Sequence, residues 1–179
     1  RAALHFWEEP CISGKNGSGT VFFFFFTLDC VFCQNYDISH GGYGKVISYQ
    51  RLADIFKELE EKGAHNINLV TPTHFVPAII RALDIYKPKI PIVYNSGGYD
   101  SVSAIRALKG YVDIFLMDLK YLSNDRAALY SSAPDYPEYA LEAITECYKE
   151  QPVCEFKEKI KKKGLIVRHL LLPQGTNEA

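Results

Sequence analysis

The chain has 179 residues, of which 47% are hydrophobic, and a formal net charge of -1. That length can hold one domain with a sizeable core. The composition excludes an intrinsically disordered chain, and the balanced charge excludes the global basic field that binds nucleic acid. The apolar run Val21–Thr27 is too short to span a bilayer, and no signal-peptide pattern is visible. The expectation is a cytoplasmic protein without nucleic acid or membrane as partner.

Residues 1–20 are expected to form a leader segment, with turns at Glu8-Glu9-Pro10 and over Ser13–Gly19. Lys15 with Gly17 and Gly19 makes no phosphate loop, because the Gly-Lys-Ser/Thr ending is missing. The core domain then covers 21–179 and is expected to be incomplete at its C-terminus. Val21–Thr27 reads as a buried strand, and His40–Gly44 reads as a loop. A helix is predicted over 49–62, with Leu52, Ile55, Phe56 and Leu59 on one face and Gly63 at its end. A strand follows at Asn66–Val70, then a helix over His74–Tyr86, a strand at Pro91–Tyr94 and a short helix over Ser101–Leu108. The last elements are a strand at Val112–Met117, a helix around Glu138–Glu150 and a strand at Leu165–Leu172. The basic run Lys157–Lys163, which also carries Glu158, reads as a solvated face.

This alternation argues for an α/β fold with a parallel sheet and helical crossovers, either doubly wound or a barrel. Polar residues cluster after the strands: Cys30 and Cys33; Thr71, Thr73 and His74; Asn95 and Ser96; Asp118 and Lys120. In both architectures the strand exits carry the site, so one pocket is expected to collect these groups.

The five cysteines are Cys11, Cys30, Cys33, Cys147 and Cys154. An odd number with one close pair fits a reduced compartment and a metal or redox site better than a disulfide framework. From chemistry alone, Cys30-Val31-Phe32-Cys33 reads as a redox dithiol, or as half of a zinc site with Cys147 and Cys154 as a loosely spaced other half. Cys147 reads more simply as facing the core of its helix.

Five segments carry a resemblance over nearly the whole chain. They are Cys30–Tyr36, Asn66–His74, Pro91–Asn95, Asp118–Tyr121 and Val167–Leu170. In this order they resemble radical S-adenosylmethionine (SAM) proteins, and among these the pyruvate formate-lyase activating enzyme-like proteins. The resemblance implies a partial (βα) barrel truncated to about five strands. It implies a [4Fe–4S] cluster held by the three thiolates of Cys-x-x-x-Cys-x-x-Cys, with S-adenosylmethionine on the fourth iron. One electron from the cluster cleaves the sulfonium and yields a 5′-deoxyadenosyl radical. Soft thiolates suit such a cluster, and the cofactor supplies the radical chemistry. The implied partners are a glycyl-radical enzyme or another protein substrate, and an electron donor such as flavodoxin or ferredoxin.

Cys30 and Cys33 match the second and third cysteines of that motif. The first should lie four residues before Cys30, where this chain has Phe26, the last of five consecutive phenylalanines. Three explanations stand side by side: a degenerate, inactive relative; substitution by another thiol, with Cys11 nearest in sequence; or an altered sequence. By the same resemblance Phe32 contacts the adenine. Thr71 and Thr73 follow the second strand, where many relatives carry a Gly-Gly-Glu run that this chain lacks; a helix-cap role is the plainer reading. Asn95 and Ser96 reach the ribose or carboxylate, or else form a turn. Asp118 and Lys120 match Asp-x-Lys and orient the cofactor or a peptide substrate, or else make a salt bridge at the strand end. Arg168 suits a cofactor carboxylate. No side chain is assigned a catalytic role.

Overall fold

The computed structural model describes residues 1–39 and 44–172; of the expected loop His40–Gly44, all but Gly44 lies outside the described residues. Five strands run parallel through the centre: β2 (Ser18–Phe22), β3 (Ile67–Val70), β4 (Ile92–Ser96), β5 (Ile114–Asp118) and β7 (Ile160–Arg168). Short antiparallel strands, β1 (Ala2–His5) and β6 (Glu155–Lys157), flank them. The order is β1-β2-β3-β4-β5-β7-β6, and among the described residues the sheet is open. This is the expected α/β partial barrel, its five core strands extended by two edge strands too short to show a period in the sequence.

The crossovers are α3 (Tyr49–Glu61), α4 (Val76–Ile85), α5 (Val102–Ala107), and, between β5 and β7, α6 (Asn124–Ser131) and α7 (Tyr136–Glu150). The hydroxyls of Ser48 and Ser101 cap α3 and α5 by accepting the amides of Arg51 and Ala104 at 3.1 and 3.2 Å. Strand alternation sends Leu69, Tyr94, Phe115 and Met117 to the helical side, where they meet Leu52 and Phe56 of α3, Ile79 and Leu83 of α4 and Cys147 of α7. Cys147 is thus a core residue, and burial pushes its thiol well above the ordinary range. Among the described residues no helix is long and apolar enough to cross a membrane.

The other face of the sheet lines the barrel interior, and the first residues of the chain fill it. Short helix α1 (Pro10–Ser13) inserts Ile12, fully buried, against Val93, Ile114 and Leu116. The segment expected as leader therefore contributes β1, α1 and the first three residues of β2. Ser13–Gly19 reads as turns because most of its residues are small and polar, yet Ser18 and Gly19 open β2 and are buried within the sheet with Thr20. The Ser18 hydroxyl donates to Asn66 Oδ1 at 2.6 Å. A side chain at Gly19 would meet the Asn66 carbonyl at 2.9 Å.

The phenylalanine run leaves the sheet after Phe22, earlier than expected. Phe23 still donates its amide to the Val70 carbonyl at 3.1 Å and is buried on the helical side, stacked on Phe75 with centroids 5.2 Å apart, whereas Phe25 takes φ 61°, which no strand permits. At the far end the strand predicted over Leu165–Leu172 instead spans Ile160–Arg168. The basic run is therefore only partly a solvated face: Lys161 is buried, its ammonium donates to Cys154 Sγ at 2.7 Å, and it lies 5.0 Å from the centroid of Phe156. Helices α1, α6 and α2 (Tyr36–Ser39) were not foreseen; two are single turns, and α6 has little apolar periodicity.

Candidate functional site

A cavity of about 910 Å³ opens where the parallel strands exit. Of the residues singled out from the sequence, Cys30, Phe32, Cys33, Thr71, Asn95, Ser96, Asp118, Lys120 and Arg168 line it. Thr73 does not border the cavity; it opens the turn Thr73–Phe75 and interacts with the Tyr94 hydroxyl. Asn95 faces the interior, whereas the neighbouring Ser96 borders the cavity but turns its hydroxyl to Asp100 on the helical side. Thr71 sits at φ 54°, a strained conformation for a β-branched residue, with its amide donating to the Asn95 carbonyl at 2.9 Å.

The centre of the site is an ion network at the ends of β5 and β7. Asp118 and Arg168 are register partners. Arg168 Nε donates to Asp118 Oδ1 at 2.7 Å, and Lys120 Nζ donates to Asp118 Oδ2 at 2.6 Å. Arg168 Nη2 donates to Asn95 Oδ1 at 2.8 Å, crossing to β4. Its Nη1 lies 3.4 Å from Glu9 and 3.8 Å from Glu8, which the inserted N-terminal segment brings in. Burial works against the Arg168 charge, but Asp118, Glu9 and Glu8 outweigh it and raise the group's pKa. An incoming carboxylate would thus meet a guanidinium already surrounded by three carboxylates. The simple expectation of Arg168 as an open carboxylate receptor does not describe this arrangement.

Tyr136, which the sequence reading left unassigned, fastens this end of the sheet. Its buried hydroxyl accepts the Lys120 amide at 2.8 Å and faces the carbonyls of Asp118 and Gly97 at 2.8 and 2.9 Å. Burial raises its pKa strongly, so it acts as a neutral hydrogen-bonding group. Gly98 passes so close at φ 87° that any Cβ there would collide with the Asp118 carbonyl oxygen. Tyr136→Phe is expected to cost about 1–3 kcal/mol, the penalty for buried polar groups left without a partner. Urea denaturation measures it; an unchanged midpoint would show that water replaces the hydroxyl.

The cysteine loop is docked on α6. The amides of Asp29 and Val31 donate to the carbonyls of Ser131 and Tyr130 at 3.2 and 3.0 Å. Cys30 Sγ lies 3.0 Å from Ser131 Oγ, which lies 2.8 Å from the Tyr121 hydroxyl. Burial pushes the Cys30 thiol up, with Ser131 opposing the shift. The Cys33 amide closes a turn onto the Cys30 carbonyl at 3.0 Å. Phe26, half-buried, borders the same cavity. Cys11 does not: it lies on α1 beside the apolar layer of Ile12, Val93 and Ile114, with Lys161 and Cys154 as charged or ionisable neighbours. Among the described residues no group of three His, Cys, Asp or Glu side chains gathers as metal ligands. The donor set at the loop is two thiols, which does not fit a cluster held by three thiolates.

A parallel sheet whose strand ends gather a Cys-x-x-Cys loop and an Asp-x-Lys pair in one cavity defines a class. The chain belongs to the radical SAM superfamily, whose family model matches residues 25–167. Members of this superfamily generally bind a [4Fe–4S] cluster and S-adenosylmethionine. The chain is also similar to "Uncharacterized protein MJ0674" of Methanocaldococcus jannaschii, at 31% identity over 179 residues, covering 95% of this chain and 48% of that protein. It spans about half the length of the curated relative it matches.

Proposed function

We propose that this chain is a radical SAM oxidoreductase core resembling glycyl-radical-enzyme activases, which retains a pocket for S-adenosylmethionine but has a cluster loop short of one thiolate. The observation that supports this reading most is the convergence of Cys30 and Cys33 with Asn95, Asp118, Lys120 and Arg168 on one cavity at the strand exits. Phe32 borders it from the cysteine loop as an apolar wall for a purine. Its volume, about 910 Å³, suits a nucleoside-sized ligand. The cytoplasm, a flavodoxin- or ferredoxin-type electron donor and a glycyl-radical enzyme or other protein substrate complete the proposal.

Phe26 stands where the resemblance places the first cluster thiolate, and a phenyl ring cannot ligate iron. The two-thiol donor set favours, as second reading, an inactive relative that keeps the nucleotide pocket. Zinc or dithiol chemistry at Cys30 and Cys33 is the third. Anaerobic reconstitution separates them: iron and sulfide with charge-transfer absorption supports the enzyme. A colourless protein that still binds S-adenosylmethionine supports the scaffold, and a zinc-loaded or reversibly oxidised pair supports the third. Asp118→Ala is expected to weaken S-adenosylmethionine binding by about 1.5–3 kcal/mol, the worth of a hydrogen bond to a charged group. Unchanged affinity by calorimetry, with the fold intact, would return Asp118 to a structural role.

A further inference from the structure

We propose that Cys154 is a nucleophilic thiol activated by Lys161, and that its partner is a small disulfide bearing carboxylates, taken up by thiol–disulfide exchange. The pair lies at the hairpin of β6 and β7, outside the cavity, and the inference does not depend on what the cavity binds.

The hairpin holds a cation under a sulfur. Positive φ at Glu158 and Lys159 makes a two-residue turn that pairs Lys157 with Ile160 and sets Phe156 opposite Lys161. The centroid of the Phe156 ring lies 5.0 Å from the ammonium. Gly164, at φ 111°, lets the loop before β6 close over the same point. A Cβ there would meet the Val153 carbonyl at 2.9 Å, the Cys154 Cα at 3.1 Å and Lys161 Nζ at 3.3 Å. Lys161 is left only 2% exposed, and its Nζ donates to Cys154 Sγ at 2.7 Å.

Among the described residues no carboxylate pairs with Lys161, so its buried charge meets a sulfur and an aromatic face. A neutral thiol is a weak acceptor, and a buried cation needs an anion. The ammonium therefore stabilises the negative charge that Sγ carries when it attacks. Cys154 is at the same time exposed, so a reagent reaches it, whereas Cys147 is buried in the core. From Glu155 to Lys163 the hairpin carries five lysines and two glutamates, a field that draws in an anionic reagent. In the exchange, Cys154 Sγ bonds to one sulfur of the disulfide and the original S–S bond breaks. Cys154 is oxidised, the other half of the reagent leaves reduced as a thiolate, and the Cys154 proton goes to solvent.

The test exposes the whole chain, anaerobically at neutral pH, to dithiobis(nitrobenzoate), an anionic disulfide, and to cystamine, a cationic one. Acid quench and peptide mass mapping give the rate at Cys154 in the folded chain and in urea, each relative to N-acetylcysteine in the same solvent. The rate is read in Cys11→Ala as well, where the neighbouring thiol cannot displace the adduct. The nitrobenzoate disulfide is expected to react with Cys154 at least about fivefold faster in the folded chain than in urea, with a smaller gain for cystamine. Lys161→Met should abolish the gain, and Lys161→Arg, which keeps the charge, should retain part of it. Circular dichroism establishes that each variant is folded. A folded chain that reacts no faster than the unfolded one, an equal or larger gain for cystamine, or a folded Lys161→Met that keeps the full gain would each overturn the proposal. Should neither Lys161 variant fold, the folded and unfolded states of the unaltered chain decide it.

Discussion

Phe26→Cys is expected to convert a chain that takes up little iron into one holding about four irons per chain after anaerobic reconstitution. The reason is the number of thiolates that reach the cavity. Cys30 and Cys33 border it, and Phe26 borders it with them. Cys11 is held on α1 by the burial of Ile12 against Val93, Ile114 and Leu116. To serve as a ligand Cys11 would have to withdraw α1 from the barrel interior, exposing Ile12 at a cost of about 1.5–3 kcal/mol from that side chain alone. Cys11→Ala should therefore leave iron uptake unchanged in both the unaltered chain and Phe26→Cys. Iron content, sulfide content and visible absorption measure the outcome. A full cluster in the unaltered chain that is lost on Cys11→Ala would show that the N-terminal segment does supply the missing thiolate. Phe24, which lies against Gly44, is a further constraint on the space around the loop.

The second large effect is expected at Arg168. Arg168→Ala removes the cation that Asp118, Glu8 and Glu9 share and leaves three carboxylates facing one another beside Asn95. Removing one partner of a buried ion pair typically costs about 3–5 kcal/mol, and partial exposure of the guanidinium brings the expected loss down to about 2–3 kcal/mol. The sign of the pH dependence follows from the Glu8 carboxyl, already raised above its ordinary value in the folded chain. A raised carboxyl favours folding while it is protonated and loses that contribution as pH rises through its folded-state pKa. Without Arg168 this effect grows, so the deficit should be largest near neutrality and shrink on acidification. Glu8→Gln in the same chain should recover part of the loss, because the two sites share the network. Urea denaturation across pH measures both; a loss below about 0.5 kcal/mol would show that solvent already screens these charges.

The amino-acid sequence by itself determined the layer order and the side of the sheet on which the cavity opens. The 3.6-residue period of α3 and α4 and the apolar runs of β3, β4 and β5 are local properties, and each element lies within a few residues of its predicted span. Polar residues following apolar strands marked the cavity before any strand was paired, because a parallel sheet gathers all its strand exits on one side. Tertiary structure decided what fills the barrel. Ser18 and Gly19 read as the end of a turn until Asn66 and Ile67 lie beside them, and Glu8-Glu9-Pro10 reads as a turn until Pro10 opens α1 in the interior. The fate of Lys161 was equally hidden, since its partner Cys154 belongs to the preceding loop and no period links the two. The charge state of the floor was decided at the same level. Arg168 and Asp118 are 50 residues apart in sequence and Arg168 and Glu9 are 159 apart. A long-range ion network has no local signature, so only the folded chain shows that its central cation is already surrounded by carboxylates.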